Sequence, residues 1–259
     1  NCIFSNTGVT ITKPTSIYGN NVVVPTIDGT YINTRIFTVE TNSTLTLRTV
    51  NITGGKNVAC GGGIYLQNNT ALQAYQTIFF KNVAKKRGGA IYAVGSTTIY
   101  LENVIISENS VVGVNNVTDV SQGGGGIFIE EGTANKNRFN AFPPTLYIFN
   151  YSLISDNHVG MHSNGGAIHS INGNIILKNL QIKNNNKGSG VYAVGGSLQI
   201  EESVIEANGQ AKQDKKFYFT KAEIENKTVL DLDFEDKFDK SGRGNNLVHT
   251  DLDLFNNDE

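Results

Sequence analysis

With 259 residues and a formal charge of −2 (21 Lys plus Arg against 23 Asp plus Glu), the chain lacks the basic surplus that a nucleic-acid surface requires. No apolar run approaches ~18 residues, so no membrane insertion is expected in this segment. Twenty-eight Gly, four Pro and no Trp, against a background of Asn, Thr, Ile and Val, point to many short strands joined by tight turns.

The elements emerge from internal repetition. Ile3 stands three residues before Asn6, and this spacing returns at Phe79…Asn82, Ile106…Asn109, Ile154…Asn157, Ile182…Asn185 and Ile205…Asn208; Ile52 is followed by Gly55 instead. Downstream come Gly62-Gly63-Ile64-Tyr65, Gly89-Ala90-Ile91-Tyr92, Gly125-Gly126-Ile127-Phe128, Gly166-Ala167-Ile168-His169 and Ser189-Gly190-Val191-Tyr192. Ile52, Phe79 and Ile106 set a period of 27 residues, within the range of solenoid repeats.

Each unit offers three period-two apolar runs, such as Ile99-x-Leu101, Val104-x-Ile106 and Ile127-x-Ile129. Such runs, broken by Asn and Gly, read as strands separated by corners. Stacked ~4.8 Å apart they predict an all-β, right-handed, three-faced parallel β-helix over residues 1–210, followed by a short acidic β-rich tail at 211–259. Ile64, Ile91, Ile127, Ile168 and Val191 form its predicted inward ladder. Asn82, Asn109, Asn157, Asn185 and Asn208 are expected at one corner, in left-handed backbone geometry, with their amides bonded from coil to coil.

Tyr65, Tyr92, Phe128, His169 and Tyr192 each follow an inward residue, so alternation turns them outward as an aromatic stripe. The stripe reads either as ring stacking that stabilises the sheet or as a platform for a sugar chain or a neighbouring protein. Residues 111–122 and 133–144 read as insertions. Phe139 and Phe142 in the second are expected to pack on an adjacent molecule or back on the solenoid. Cys2 and Cys60 either pair or are separate buried thiols. Sequons stand at Asn42, Asn51, Asn68, Asn116, Asn150 and Asn226, usable if the chain passes through a eukaryotic secretory route. The chain itself reads as a processed product or part of a longer polypeptide.

Catalytic chemistry finds little footing. Asp28, Asp119 and Asp156 are isolated, whereas glycan-cleaving sites need paired acids. His158, His162 and His169 lie close in sequence but read as two loop residues and one member of the stripe, so no metal site is expected. The run Gly123–Gly126 lacks the Lys-Ser/Thr of a phosphate loop. Asp231/Asp233 and Asp251/Asp253 fall short of a calcium ligand set, and no cofactor is expected.

Phe79-Phe80-Lys81-Asn82 and Gly88-Gly89-Ala90-Ile91 resemble the two signature repeats of the polymorphic outer-membrane protein family, the chlamydial autotransporter adhesins. Thr26-Ile27-Asp28-Gly29, with Leu45-Thr46-Leu47 and Val50-Asn51-Ile52, is similar to the opening coils of pectate-lyase-like β-helices. In the tail, Leu230-Asp231-Leu232-Asp233-Phe234-Glu235-Asp236 resembles the first strand of a laminin-G or concanavalin-like lectin sandwich. Such a strand would open a further domain or add to a neighbouring molecule. The resemblance implies an extracellular or cell-surface protein, structural or adhesive, with self-association in a filament or larger assembly and with glycan contacts. The alternative it leaves is a polysaccharide lyase or hydrolase on the same fold.

Overall fold

In the computed structural model the apolar triplets become strands of a parallel β-solenoid of about six turns. Residues 8–20, 23–56, 58–113, 122–132, 142–160, 163–186 and 189–209 are described in full, together with the backbone of the strands Cys2–Ile3, Lys216–Ile224 and Leu230–Leu232. The strands lie in sheets of thirteen, eight and four members. The long sheet takes two strand rows from each coil, as in Thr98–Glu102 and Ile105–Ser107, and in later coils these fuse into Thr145–Ser155, Asn174–Lys183 and Ser197–Glu206. A positive-φ residue bends the chain between the rows, at Thr49, Gln76, Asn103, Asn179 and Glu202.

The eight-stranded sheet carries the tetrads. Ile64 pairs with Ile91, Ile91 with Ile127, Ile127 with Ile168 and Ile168 with Val191. All five are fully buried. Each such side chain contributes roughly 1.5–3 kcal/mol through burial that only the neighbouring coils make available.

The four-stranded sheet, Val58–Cys60, Val83–Arg87, Ser110–Val111 and His158–Val159, has no counterpart in the sequence reading. Ala84, Val111 and Val159 form a small core of their own there. One apolar residue per coil leaves no period-two run to detect.

The five Asn residues stack at one corner, all buried. Each Nδ2 donates to the Oδ1 of the next: Asn82 to Asn109 at 3.0 Å, Asn109 to Asn157 at 3.0 Å, Asn157 to Asn185 at 2.9 Å and Asn185 to Asn208 at 2.8 Å. Where Ile52 is followed by Gly55, the Gly55 amide donates to Asn82 Oδ1 at 3.1 Å and starts the ladder from the main chain. The left-handed geometry belongs to the residue before each Asn, not to the Asn. Lys81, Glu108, Asp156, Asn184 and Ala207 have φ of 55°, 54°, 57°, 56° and 50°. The turn is made one position early, and the Asn amide then bonds to the coils on both sides, as Asn82 does to the Ile52 carbonyl and to Asn109 Oδ1.

Glycine serves two purposes in the tetrads. Gly88 has φ +58° and turns the corner. Gly89 allows close approach, since a Cβ there would lie 2.2 Å from the Gly125 carbonyl oxygen.

The tail changes pairing direction. Lys216–Ile224 runs antiparallel to Ser197–Glu206, and Leu230–Leu232 runs antiparallel to Val191–Val194. Both strands thus pair with this chain's own late coils. Both late edges gain a partner that does not continue the parallel stack.

Candidate functional site

The predicted aromatic row forms. Tyr65 registers with Tyr92, Tyr92 with Phe128, Phe128 with His169 and His169 with Tyr192. Successive ring centroids are 5.2, 6.0, 4.4 and 4.8 Å apart. The expectation that this row faces solvent is corrected. Phe128 and His169 are 0 % exposed, and Tyr92 and Tyr192 only 7 % and 8 %. Tyr65 alone is half-buried.

The reason lies in the four-stranded sheet and the chain that prolongs it. The Arg87 guanidinium sits 5.4 Å from the centre of the Phe128 ring. His169 Nδ1 lies 3.3 Å from the Asn164 carbonyl oxygen, and a Cβ on Gly123 would come within 2.6 Å of that nitrogen. Alternation turned these rings out of the main core, and the next face of the coil covers them.

A polar cluster closes the Tyr65 end of the row. The Arg35 guanidinium lies 4.7 Å over the Tyr65 ring, and its buried Nη1 has no hydrogen-bond partner. Arg87 Nη1 meets Glu130 Oε1 at 2.6 Å, and the Tyr92 hydroxyl donates to the same oxygen. Burial, then the Glu130 carboxylate, holds the Tyr92 hydroxyl far above the usual tyrosine range. Burial pushes the Cys60 thiol up as well, and lowers the Arg35 guanidinium. Burial also opposes the Arg87 charge, but Glu130 and Tyr92 more than offset it, so that guanidinium is raised. Cys60 is a free thiol. The backbone of Cys2 lies in the long sheet beside Ile27, and Cys60 lies in the short one.

The outer face of the long sheet holds rings that the sequence reading passed over. Tyr75 and Tyr100 are 5.7 Å apart at 44°, Tyr100 and Phe149 5.5 Å at 62°, and Tyr147 and Phe149 5.9 Å at 41°. All four are half-buried. Arg48 lies 4.6 Å over Tyr75. Beside them the strand Thr145–Ser155 shifts register between Phe149 and Ser152, which inserts one residue at the bend. Asn150 and Tyr151, at φ +50° and +59°, together stand opposite the single Asn179, and Tyr151 is 79 % exposed. A ring-bearing residue held in left-handed geometry at a bulge, with its side chain in water, is not a product of core packing. The sequence carried the signal: Tyr100 is the middle residue of Ile99-x-Leu101, and it points outward because its neighbours point inward.

The remaining expected sites scatter. Phe142 is 72 % exposed and its carbonyl accepts from Ser96 Oγ at 2.9 Å, so it does not fold back into the core; Phe139 lies outside the described residues. Asn42, Asn68 and Asn150 are exposed, and Asn51 is half-buried with Nδ2 donating to Thr26 Oγ1 at 3.3 Å. Asn116 and Asn226 lie outside the described residues, as do Asp119 and His162. Asp28 Oδ1 accepts from the Thr30 amide at 2.8 Å and holds a turn. Among the described residues no group of three metal-ligating side chains converges.

Residues 76–94 match the Chlamydia polymorphic membrane protein repeat. The matched stretch holds one ladder Asn, Asn82, and one complete tetrad, Gly89 to Tyr92. With the parallel solenoid it supports likeness to the polymorphic membrane proteins. No curated protein and no solved structure matches the chain.

Proposed function

We propose that this chain is a surface-exposed, adhesin-like protein that binds a protein partner through the outer face of its long sheet. The carrying observation is the Tyr151 bulge beside Tyr147, Phe149, Tyr100 and Tyr75. Exposed aromatic groups on a rigid sheet are the usual anchors of protein interfaces. The rings meet at 41–62°, so they offer edges and slots rather than one flat plane. That favours a protein surface over a stacked sugar chain. The repeat match supports the cell-surface setting. Exposed Phe142 is a second anchor, on the loop for which contact with an adjacent molecule is one of two expectations. The lyase alternative draws little support: Asp28 is engaged in a turn, and Glu130 is held by Arg87 and Tyr92.

The test is binding of the purified chain to cultured cells, before and after protease or glycosidase treatment of those cells. Saturable binding that protease removes and glycosidase spares is expected. Tyr147→Ser with Tyr151→Ser should abolish it at unchanged melting temperature. Undiminished binding by the double variant would overturn the proposal, and loss on glycosidase treatment would replace the protein partner with a glycan.

A further inference from the structure

A cavity of about 410 Å³ opens at the Asn corner of the last coils, in the size range of small-ligand sites. It is separate from the aromatic face. Two stacked rows line it. One is Asp156, Asn184 and Ala207, the positive-φ residues that precede the ladder amides. The other is His158, Asn186 and Gly209, linked by parallel bridges from His158 to Asn186 and from Asn186 to Gly209.

The cavity exists because the side chains of the first row shrink toward the last coil and the second row ends in a glycine. The first row runs Lys81, Glu108, Asp156, Asn184, Ala207. Its early members are long and meet each other, with Lys81 Nζ 3.6 Å from Glu108 Oε2. Its last member is a methyl group. In the second row Val83 pairs with Ser110 and Ser110 with His158, and the row ends at Gly209. The corner keeps its backbone course while the surface over it falls away.

The lining has a definite chemistry. Asp156 supplies a carboxylate, an acceptor able to take two hydroxyl donors. Asn184 and Asn186 supply amides that donate and accept, and His158 supplies an imidazole. Among the described residues no Lys or Arg lines the cavity. A phosphate, sulfate or uronate would meet the Asp156 charge with no cation among these lining residues to answer it. An apolar ligand would leave the amides and carboxylate unpaired. The occupant that satisfies this set is a neutral molecule with several adjacent hydroxyls. The geometry points to a binding site for an uncharged pyranose sugar, held by a hydroxyl pair on Asp156 and by the Asn184 and Asn186 amides.

Saturation-transfer NMR and calorimetry with D-glucose, D-galactose, D-mannose and N-acetyl-D-glucosamine test this, with D-glucuronate as the charged comparator. At least one neutral sugar should bind, and glucuronate more weakly. Asp156→Asn should weaken binding about tenfold or more, since a hydrogen bond to a charged group is replaced by a neutral one. Ala207→Gln should abolish it by filling the cavity. Lys81 and Glu108 occupy the same slot with φ within 5° of Ala207, so a long side chain is tolerated there and the melting temperature should hold. No binding of any of the four sugars, or wild-type affinity in either variant, would overturn the site. The Tyr147/Tyr151 double variant should bind the sugar normally, which separates this result from the outcome on the aromatic face.

Discussion

Asn109 Nδ2 donates to Asn157 Oδ1 at 3.0 Å across 48 positions of sequence, 21 more than the 27 separating Asn82 from Asn109. The ladder keeps its register across a coil lengthened by two insertions. Asn109 also accepts from the Asn82 amide and donates to the Phe79 and Ser107 carbonyls. Asn109→Ala strips a buried main-chain donor and a buried carbonyl of partners. A loss of roughly 2–6 kcal/mol is expected from equilibrium denaturation, at about 1–3 kcal/mol for each unmet group. A loss under about 1 kcal/mol would mean that the amide ladder is incidental to the corner.

Ile127 lies in mid-ladder with no exposed surface. Ile127→Ala should cost about 2–5 kcal/mol, and Ile127→Asp should leave the middle coils unfolded, because the charge has no partner in an apolar stack. Hydrogen exchange resolved by peptide checks this. Fast exchange should spread into Ile91–Val94 and Ile168–Ile171, the paired strands.

The Tyr92 hydroxyl gives an alkaline signature. Burial, reinforced by Glu130, raises its folded-state pKa, whereas in the unfolded chain it ionises near ~10. The contribution is present below the unfolded value and is lost as pH rises past it, because the unfolded state then releases a proton that the folded state keeps. Between pH 9 and 11 the wild type should lose stability more steeply than Tyr92→Phe, by up to ~1.4 kcal/mol per pH unit. Tyr65 and Cys60, raised in the same direction, remain in both proteins and cancel in the difference. Parallel curves would place the Tyr92–Glu130 bond outside the folded-state energetics.

Removal of residues 210–259 uncovers Ser197–Glu206 and Val191–Val194 at once, the strands now paired by Lys216–Ile224 and Leu230–Leu232. Two uncovered edges recruit other chains. Light scattering should show the shortened protein associating at lower concentration than the full chain. A monodisperse monomer would mean that the antiparallel strands are dispensable as a cover.

Most of the architecture was legible because a solenoid repeats its errors as faithfully as its rules. One apolar-x-x-Asn spacing located every ladder amide from Asn82 to Asn208. What escaped was set by the face next door. Alternation alone turned Tyr92, Phe128 and His169 outward, but only the course of Arg87, Gly123 and Asn164 decided that outward was not wet. Tyr151 was hidden for a different reason: a single inserted residue changes no periodicity, and its meaning appears only when the register on either side is known. The two antiparallel strands likewise show no repeat, so their partners were not readable from spacing.

The main-chain bonds between coils run along the solenoid axis, from Ala71–Tyr75 to Thr98–Glu102 and onward. Tension applied end to end therefore acts on the coil interfaces in series, so that they give way one at a time. A coil of 27 residues that peels away pays out about 90 Å of chain in exchange for roughly 4.8 Å of folded length. A molecule held at both ends would yield by lengthening, coil by coil, and would spare its outermost contact.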